Sequence, residues 1–204
     1  MWAIYMTHFF MALVVAGFLW RFRYARFRQF RTQIIILSGI GFATYVLYPA
    51  APPWYVADRL HELPEIYRTV FITWGHLGLK TAGSIADGAI DGGDLGNQVA
   101  AVPSMHAAIS LYIACFFWRG ARPWLRALLV VYVLGMAFTL VYSGEHYVFD
   151  IVVGWFYTVV VLSGAALLAR YRRRRSSNAA TALDGDAATA SAVALSRGGR
   201  SVRS

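Results

Sequence analysis

The chain has 204 residues, 58% of them hydrophobic and only 14% charged, with a net charge of +9. Soluble domains carry about 25% charged residues, and the apolar residues here fall in long blocks rather than in alternation, which excludes a soluble domain. The charge does not signal nucleic acid, because the arginines sit at the ends of apolar runs, where the positive-inside rule puts them.

The first apolar run covers residues 2–20, about the length a membrane helix needs. It lacks the basic start and small-residue cleavage site of a signal peptide. Arg21, Arg23, Arg26, Arg28 and Arg31 follow, interleaved with Phe22, Tyr24, Phe27 and Phe30, and predict a cytoplasmic loop with interfacial aromatics. The second run, 33–49, stops at Pro49, Pro52 and Pro53, because prolines this close together cannot continue a helix. Residues 50–99 hold six acids and three bases, Arg59, Arg68 and Lys80. That sign is opposite to every other connection and predicts a long extracytoplasmic loop. Within it, Leu63 to Leu79 reads as a short interfacial helix and 81–96 as irregular. The acids from Asp87 to Asp94 do not fit a calcium loop.

The third run, 100–118, opens on Pro103-Ser104-Met105-His106 and is followed by Arg119, Arg122 and Arg126. The fourth, 124–143, returns to Ser143-Gly144-Glu145, and the fifth, 147–169, begins beside His146 and ends in Arg170 and Arg172 to Arg175. The fold class is therefore all-α: a polytopic membrane bundle of about five helices over residues 1–170, with the outer loop at about 50–99. A basic cytoplasmic tail fills 171–204, and its 176–204 part, without an aromatic residue, is predicted disordered. An odd number of helices puts the N-terminus outside and the C-terminus inside. The three arginine clusters then share one side, and both histidine stretches fall on the other.

Those two stretches carry the chemistry. Pro103 is read as the first helical position, where its missing N–H costs nothing. The free N–H groups of that first turn, with the helix dipole, make an anion site. His146 and Asp150 are four apart and on a helix would share a face, with Cβ atoms about 5–6 Å apart. A carboxylate there fixes the imidazole tautomer and leaves the other nitrogen as a nucleophile. Ionisable residues within membrane segments are usually functional. His8 is read as a buried or interfacial residue, and His61 and His76 as loop surface. No two histidines lie at short ligand spacing, and the single cysteine, Cys115, excludes a disulfide or a multi-cysteine site, so neither metal nor cofactor is expected. Gly154, one turn past Asp150, is expected to allow close helix packing.

The pair of stretches resembles the type 2 phosphatidic acid phosphatase superfamily, whose second motif, Pro-Ser-Gly-His, is similar to Pro103-Ser104-Met105-His106. The third motif, in the form carried by the inositol phosphorylceramide and sphingomyelin synthases, His-Tyr-x-x-Asp-Val-x-x-Gly, is similar to His146-Tyr147-Val148-Phe149-Asp150-Ile151-Val152-Val153-Gly154. Tyr48 to Trp54 also looks like the Pro-Pro segment of that branch, and the resemblance covers roughly residues 40–165. Two features depart from the phosphatases. Thr139 and Leu140 stand where their third motif has Ser-Arg, and the first motif, a Lys and a later Arg-Pro, has no match before residue 100; Arg122-Pro123 lies after the second motif and on the cytoplasmic side. Both favour the synthase-like branch.

The resemblance implies a lipid phosphatase or phosphotransferase working through a phosphohistidine. His146, oriented by Asp150, would be the nucleophile and His106 the general acid, with Ser104 holding phosphate; because the motif arginine is missing, a loop base among Arg59, Arg68 and Lys80, with Arg59 and then Lys80 favoured, is expected to supply the positive charge. The substrate would be a membrane lipid phosphate and the acceptor water, inositol or a lipid hydroxyl. The setting would be a bacterial plasma membrane with the site extracytoplasmic. The alternatives are a transporter or flippase, which predicts acids or broken helices at mid-membrane, and an inactive scaffold, against which the complete set His106, His146 and Asp150 argues.

Overall fold

The computed structural model describes residues 2–58, 60–64, 66 and 100–198. Among these the regular elements are helices: α1 (Trp2–Phe22), α2 (Tyr24–Leu47), α3 (Pro53–Asp58), α4 (Met105–Trp118), α5 (Pro123–Tyr142) and α6 (Val148–Gly198). Four of them, α1, α2, α5 and α6, are long and apolar enough to cross a membrane, and α4 is a shorter apolar helix. Together they give the expected all-α membrane bundle. Residues 1–162 form one compact unit and 163–204 a second.

Helix boundaries depart from the expected runs for local reasons. The arginine-rich stretch is mostly helix, not loop: the chain breaks only at Arg23, and α2 starts at Tyr24. Arg and Gln are good helix formers, so the basic residues extend the helix past its apolar part. Three prolines end α2, but Pro53 then begins α3, a position that suits its fixed φ and lack of N–H. The third run is trimmed, because residues 100–103 are non-helical. Ala101 N–H donates to Ala50 O at 3.0 Å, beside an isolated parallel bridge between Ala50 and Ala100. The tail expected to be disordered instead continues α6 to Gly198, where its many alanines supply high helix propensity. Of the interfacial helix expected from Leu63 to Leu79, residues 63, 64 and 66 are described and are not helical, while the rest of it and the Gly- and Asp-rich stretch lie outside the described residues.

The shortest helix is the hub. Helix α4 packs against α1, α2 and α5, and α6 closes on it through hydrogen bonds described below. Its Ala107, Ala108, Ser110, Tyr112, Ile113, Ala114 and Phe116 are all buried, as expected of a helix apolar on all sides. One cluster joins Leu19, Phe30, Leu37, Ala108, Tyr112, Ile113, Phe116 and Val161, and a second joins Ala107, Met136, Leu140 and Ile151. The outward faces are equally apolar, with Leu13 at 70% and Val46 at 82% exposure. Lipid suits such faces, so burial of apolar area does not hold this bundle together. Close packing and interhelical hydrogen bonds do. Thr7 and Tyr132 join α1 to α5 at 3.0 Å, Thr44 and Tyr157 join α2 to α6 at 2.9 Å, and Tyr112 donates from α4 to Gln33 of α2 at 3.0 Å. In membranes such bonds average about 0.6 kcal/mol.

Helix α4 has 14 residues and spans about 21 Å. At its C-terminal end Arg26 donates to Phe116 O at 2.9 Å, and Arg126 Nε donates to Trp118 O at 3.1 Å. The arginine turns after α1 and after α4 therefore meet at one end, and the two histidine stretches lie at the other.

Candidate active site

Two helix ends build the site. The first is the C-terminus of α5. Gly144 adopts φ +69°, the left-handed conformation that favours glycine and ends helices. Gly144 N–H donates to Val141 O at 3.1 Å and Glu145 N–H to Leu140 O at 3.0 Å, which is the paired-bond pattern of a glycine-terminated helix. His146 N–H also reaches Leu140 O, at 3.2 Å. Ser143-Gly144 thus stops α5 sharply and throws His146 back over its end. That glycine was the sequence signal for the turn, and the motif reading passed over it.

The second is the start of α6. His146 lies just ahead of this helix and Asp150 in its first turn, so the expectation that both ride one helical face needs correction. Asp150 reaches backwards instead. Its Oδ2 accepts the Tyr147 N–H at 2.8 Å and lies 3.3 Å from His146 Nδ1. A first-turn acid accepting the N–H at the helix entrance is one half of a capping box. The bond that starts the helix therefore also places the carboxylate on the imidazole. Asp150 is 1% exposed and His146 7%.

The start of α4 faces them. Ser104, not Pro103, bounds the helix: its Oγ accepts the Ala107 N–H at 3.3 Å, and Pro103 stands before the cap. A serine oxygen on the third N–H is the preferred N-cap bond. Ser104 is fully buried, and its own N–H donates to Asp150 O at 2.9 Å. Two of the backbone and side-chain groups expected to hold an anion are therefore engaged in structure. The Tyr45 hydroxyl donates to Pro103 O at 2.7 Å and holds the turn from α2.

Helix α6 grips this turn along one face. Asp150 O takes the Ser104 N–H, a Cβ on Gly154 would overlap Ser104 O, and Thr158 Oγ1 donates to Ala108 O at 2.8 Å. The positions are successive turns, i, i+4 and i+8. Gly154 therefore packs as expected, and against the turn that carries His106. The ring centres of His106 and His146 come to 5.8 Å.

The Pro-Pro segment is also drawn in. Trp54 is buried, and its backbone N–H donates to Gly144 O at 3.1 Å. Arg59, Arg68 and Lys80 lie outside the described residues, so no position is assigned to the expected loop cations. Leu140, at the place of the phosphatase arginine, is fully buried in the apolar cluster with Ala107, Met136 and Ile151, so no cation occupies that point. Sequence reasoning missed the place of His8. Its ring lies 4.0 Å from that of His106, and Tyr5, one turn earlier on α1, stacks on His106 at 4.9 Å. Their spacing of three on an apolar helix was the only available sign. Among the described residues, no group of three or more His, Cys, Asp or Glu side chains is arranged to hold a metal ion.

The model of the PAP2 superfamily matches residues 1–164. The chain belongs to the PAP2 superfamily. This is the family, the type 2 phosphatidic acid phosphatases, that the two histidine stretches resemble. The chain is also similar to a phosphoinositol dihydroceramide synthase of Bacteroides thetaiotaomicron, with 33% identity over 131 residues. That match covers 62% of this chain and 41% of the relative, so the chain spans about two fifths of the relative's length. No solved structure matches. The family match supports a lipid phosphatase or phosphotransferase.

Proposed function

We propose that the protein transfers a phosphoryl-linked group from a membrane lipid through a phosphohistidine on His146. The observation that carries this reading is the pairing of His146 with a buried carboxylate at 3.3 Å, with His106 facing it at 5.8 Å. An attacking nitrogen sits about 3–3.5 Å from the phosphorus it attacks, and a general acid about 2.6–3.2 Å from the oxygen it protonates. With the bond to the leaving oxygen counted, those distances add to about 7–8 Å between the reacting nitrogens, so the two rings, 5.8 Å apart at their centres, must separate to admit the phosphate. Asp150 accepts from Nδ1 and so favours the tautomer whose other nitrogen carries a lone pair. His146 attacks phosphorus as the bond to the leaving oxygen breaks, and His106 protonates that oxygen. In the second half-step His106 takes a proton from the incoming hydroxyl, which attacks phosphorus and releases His146.

The phosphate oxygens are held by the start of α4, where the helix dipole is positive, and by a cation of the 59–80 stretch. Arg59 is favoured over Lys80, because α3 just before it is anchored through Trp54 to Gly144. Ser104 contributes mainly by fixing that helix start. The site faces away from the cytoplasm, since the turns carrying Arg26 and Arg126 lie at the other end of α4. The name of the Bacteroides relative supports a transferase with an inositol-containing headgroup and a lipid hydroxyl among its reactants; water as acceptor would make the same site a phosphatase.

The deciding experiment is incubation of the purified protein with a panel of phospholipids, with and without inositol, scoring released phosphate against new lipid. New phospholipid that depends on an alcohol acceptor is the expected result. Release of phosphate alone would make it a phosphatase, and neither product from any lipid would refute the reading.

A further inference from the structure

Helix α1 contributes to neither family motif, yet it presents two rings to His106. Tyr5 stacks on it at 4.9 Å with an interplanar angle of 22°, and His8 lies at 4.0 Å, closer than the 5.8 Å to His146. The three imidazoles thus run in the order His8, His106, His146. A histidine in a membrane helix is costly unless the interior uses it, and this one is turned towards the bundle rather than towards lipid.

His106 must carry a positive charge before the first half-step and lose it after the proton moves to the leaving oxygen. In a site of low dielectric that charge needs a polar neighbour. Helix α5 faces this region with apolar Met136 and Leu140. From α2, Tyr45 is spent on Pro103 O. Asp150 serves His146. Among the described residues, Tyr5 and His8 are the rings that approach His106 from α1, and two imidazolium rings this close would repel, so the pair holds at most one proton.

We propose that His8 is a positioning residue for His106: its imidazole, set beside Tyr5 on α1, fixes the His106 ring and shares the charge of its protonated form, so that His106 can donate a proton inside the membrane. The proposal rests on the phosphoryl-transfer reading above.

The test uses the full chain in lipid nanodiscs with two substrates. Phosphatidic acid has an alkoxide leaving group that needs a proton; p-nitrophenyl phosphate has one that does not. His8→Ala should lower kcat on phosphatidic acid about 10–100-fold, a part of the ~10²–10⁴-fold that general acid catalysis supplies in full, with KM little changed. On p-nitrophenyl phosphate the loss should be only a few-fold. His8→Phe, which keeps a ring in the space, should lose as much as His8→Ala, and adding His8→Ala to His106→Ala should cost nothing further. Full turnover in His8→Phe would mean that His8 only packs, and an equal loss on both substrates would mean a collapsed site; either overturns the proposal. Should the alanine chain not fold, His8→Phe alone decides. If His146→Ala and His106→Ala keep full turnover, the phosphoryl-transfer reading itself is wrong; if they abolish it while His8→Ala does not, only the role of His8 fails.

Discussion

Gly154→Ala adds one methyl group at the point where α6 touches the turn that carries His106. An ideal Cβ there overlaps Ser104 O and comes within 3.3 Å of Ser104 C and 3.4 Å of Ala108 N. All three are backbone atoms, so no side-chain rotation relieves the overlap. Restoring ordinary contact, about 3.5–4.0 Å, moves α6 back by about 1 Å. That shift strains the Ser104–Asp150 backbone bond and the Thr158–Ala108 bond on the same face. It also carries Asp150, and with it His146, away from His106. Overpacking of a well-packed interior costs about 1–3 kcal/mol, and a 1 Å displacement of reacting groups about 10²-fold in rate. Turnover of Gly154→Ala should therefore fall by roughly 10²-fold, with thermal unfolding in detergent shifted down by several degrees. Gly39→Ala on α2, where a Cβ meets nothing within 4 Å, is the control, and it should keep turnover and gain slightly in stability, since Gly costs about 1 kcal/mol against Ala in a helix. If Gly154→Ala matches the wild type in both measurements, α6 does not register the two histidines, and the packing argument is wrong.

His146→Ala should abolish turnover on the best lipid substrate. Asp150→Asn should lower it severely, by as much as the ~10⁴ known for the same change in the serine protease triad; Asp150→Ala, which also loses the bond to Tyr147 N–H, should unfold about 1 kcal/mol more easily than Asp150→Asn. Wild-type turnover in His146→Ala or Asp150→Asn rules out the nucleophile assignment. One of Arg59→Ala, Arg68→Ala and Lys80→Ala, with Arg59 favoured, should cost about 10²–10³ in rate, the loss expected of an anion-stabilising donor; near-full activity in all three means that the phosphate is held without a loop cation. In a Cys115→Ser background, a cysteine at exposed Leu60 should react with an impermeant maleimide on intact cells, and one at exposed Trp124 only after permeabilisation. The opposite pattern refutes the orientation.

The sequence by itself determined the class of the protein and pointed to the residues proposed for its site. Long apolar blocks specify membrane helices, because each block is a local property of the chain. The motif residues His106, His146 and Asp150 were legible for the same reason, as was Gly154. Tertiary structure decided the rest. The pairing of Asp150 with His146 arises from a helix entrance and not from a shared helical face, since capping depends on where the helix begins and the spacing of four does not say. Ser104 serves as a cap and as the partner of Asp150 O, because the approach of α6 reaches it first. Leu140 fills an apolar cluster where the family's arginine would stand. His8 is ninety-eight residues from His106 in sequence, and only the packing of α1 on α4 brings its ring to 4.0 Å. A local pattern cannot announce a neighbour supplied by another helix, and for this site one of the nearest neighbours was of that kind.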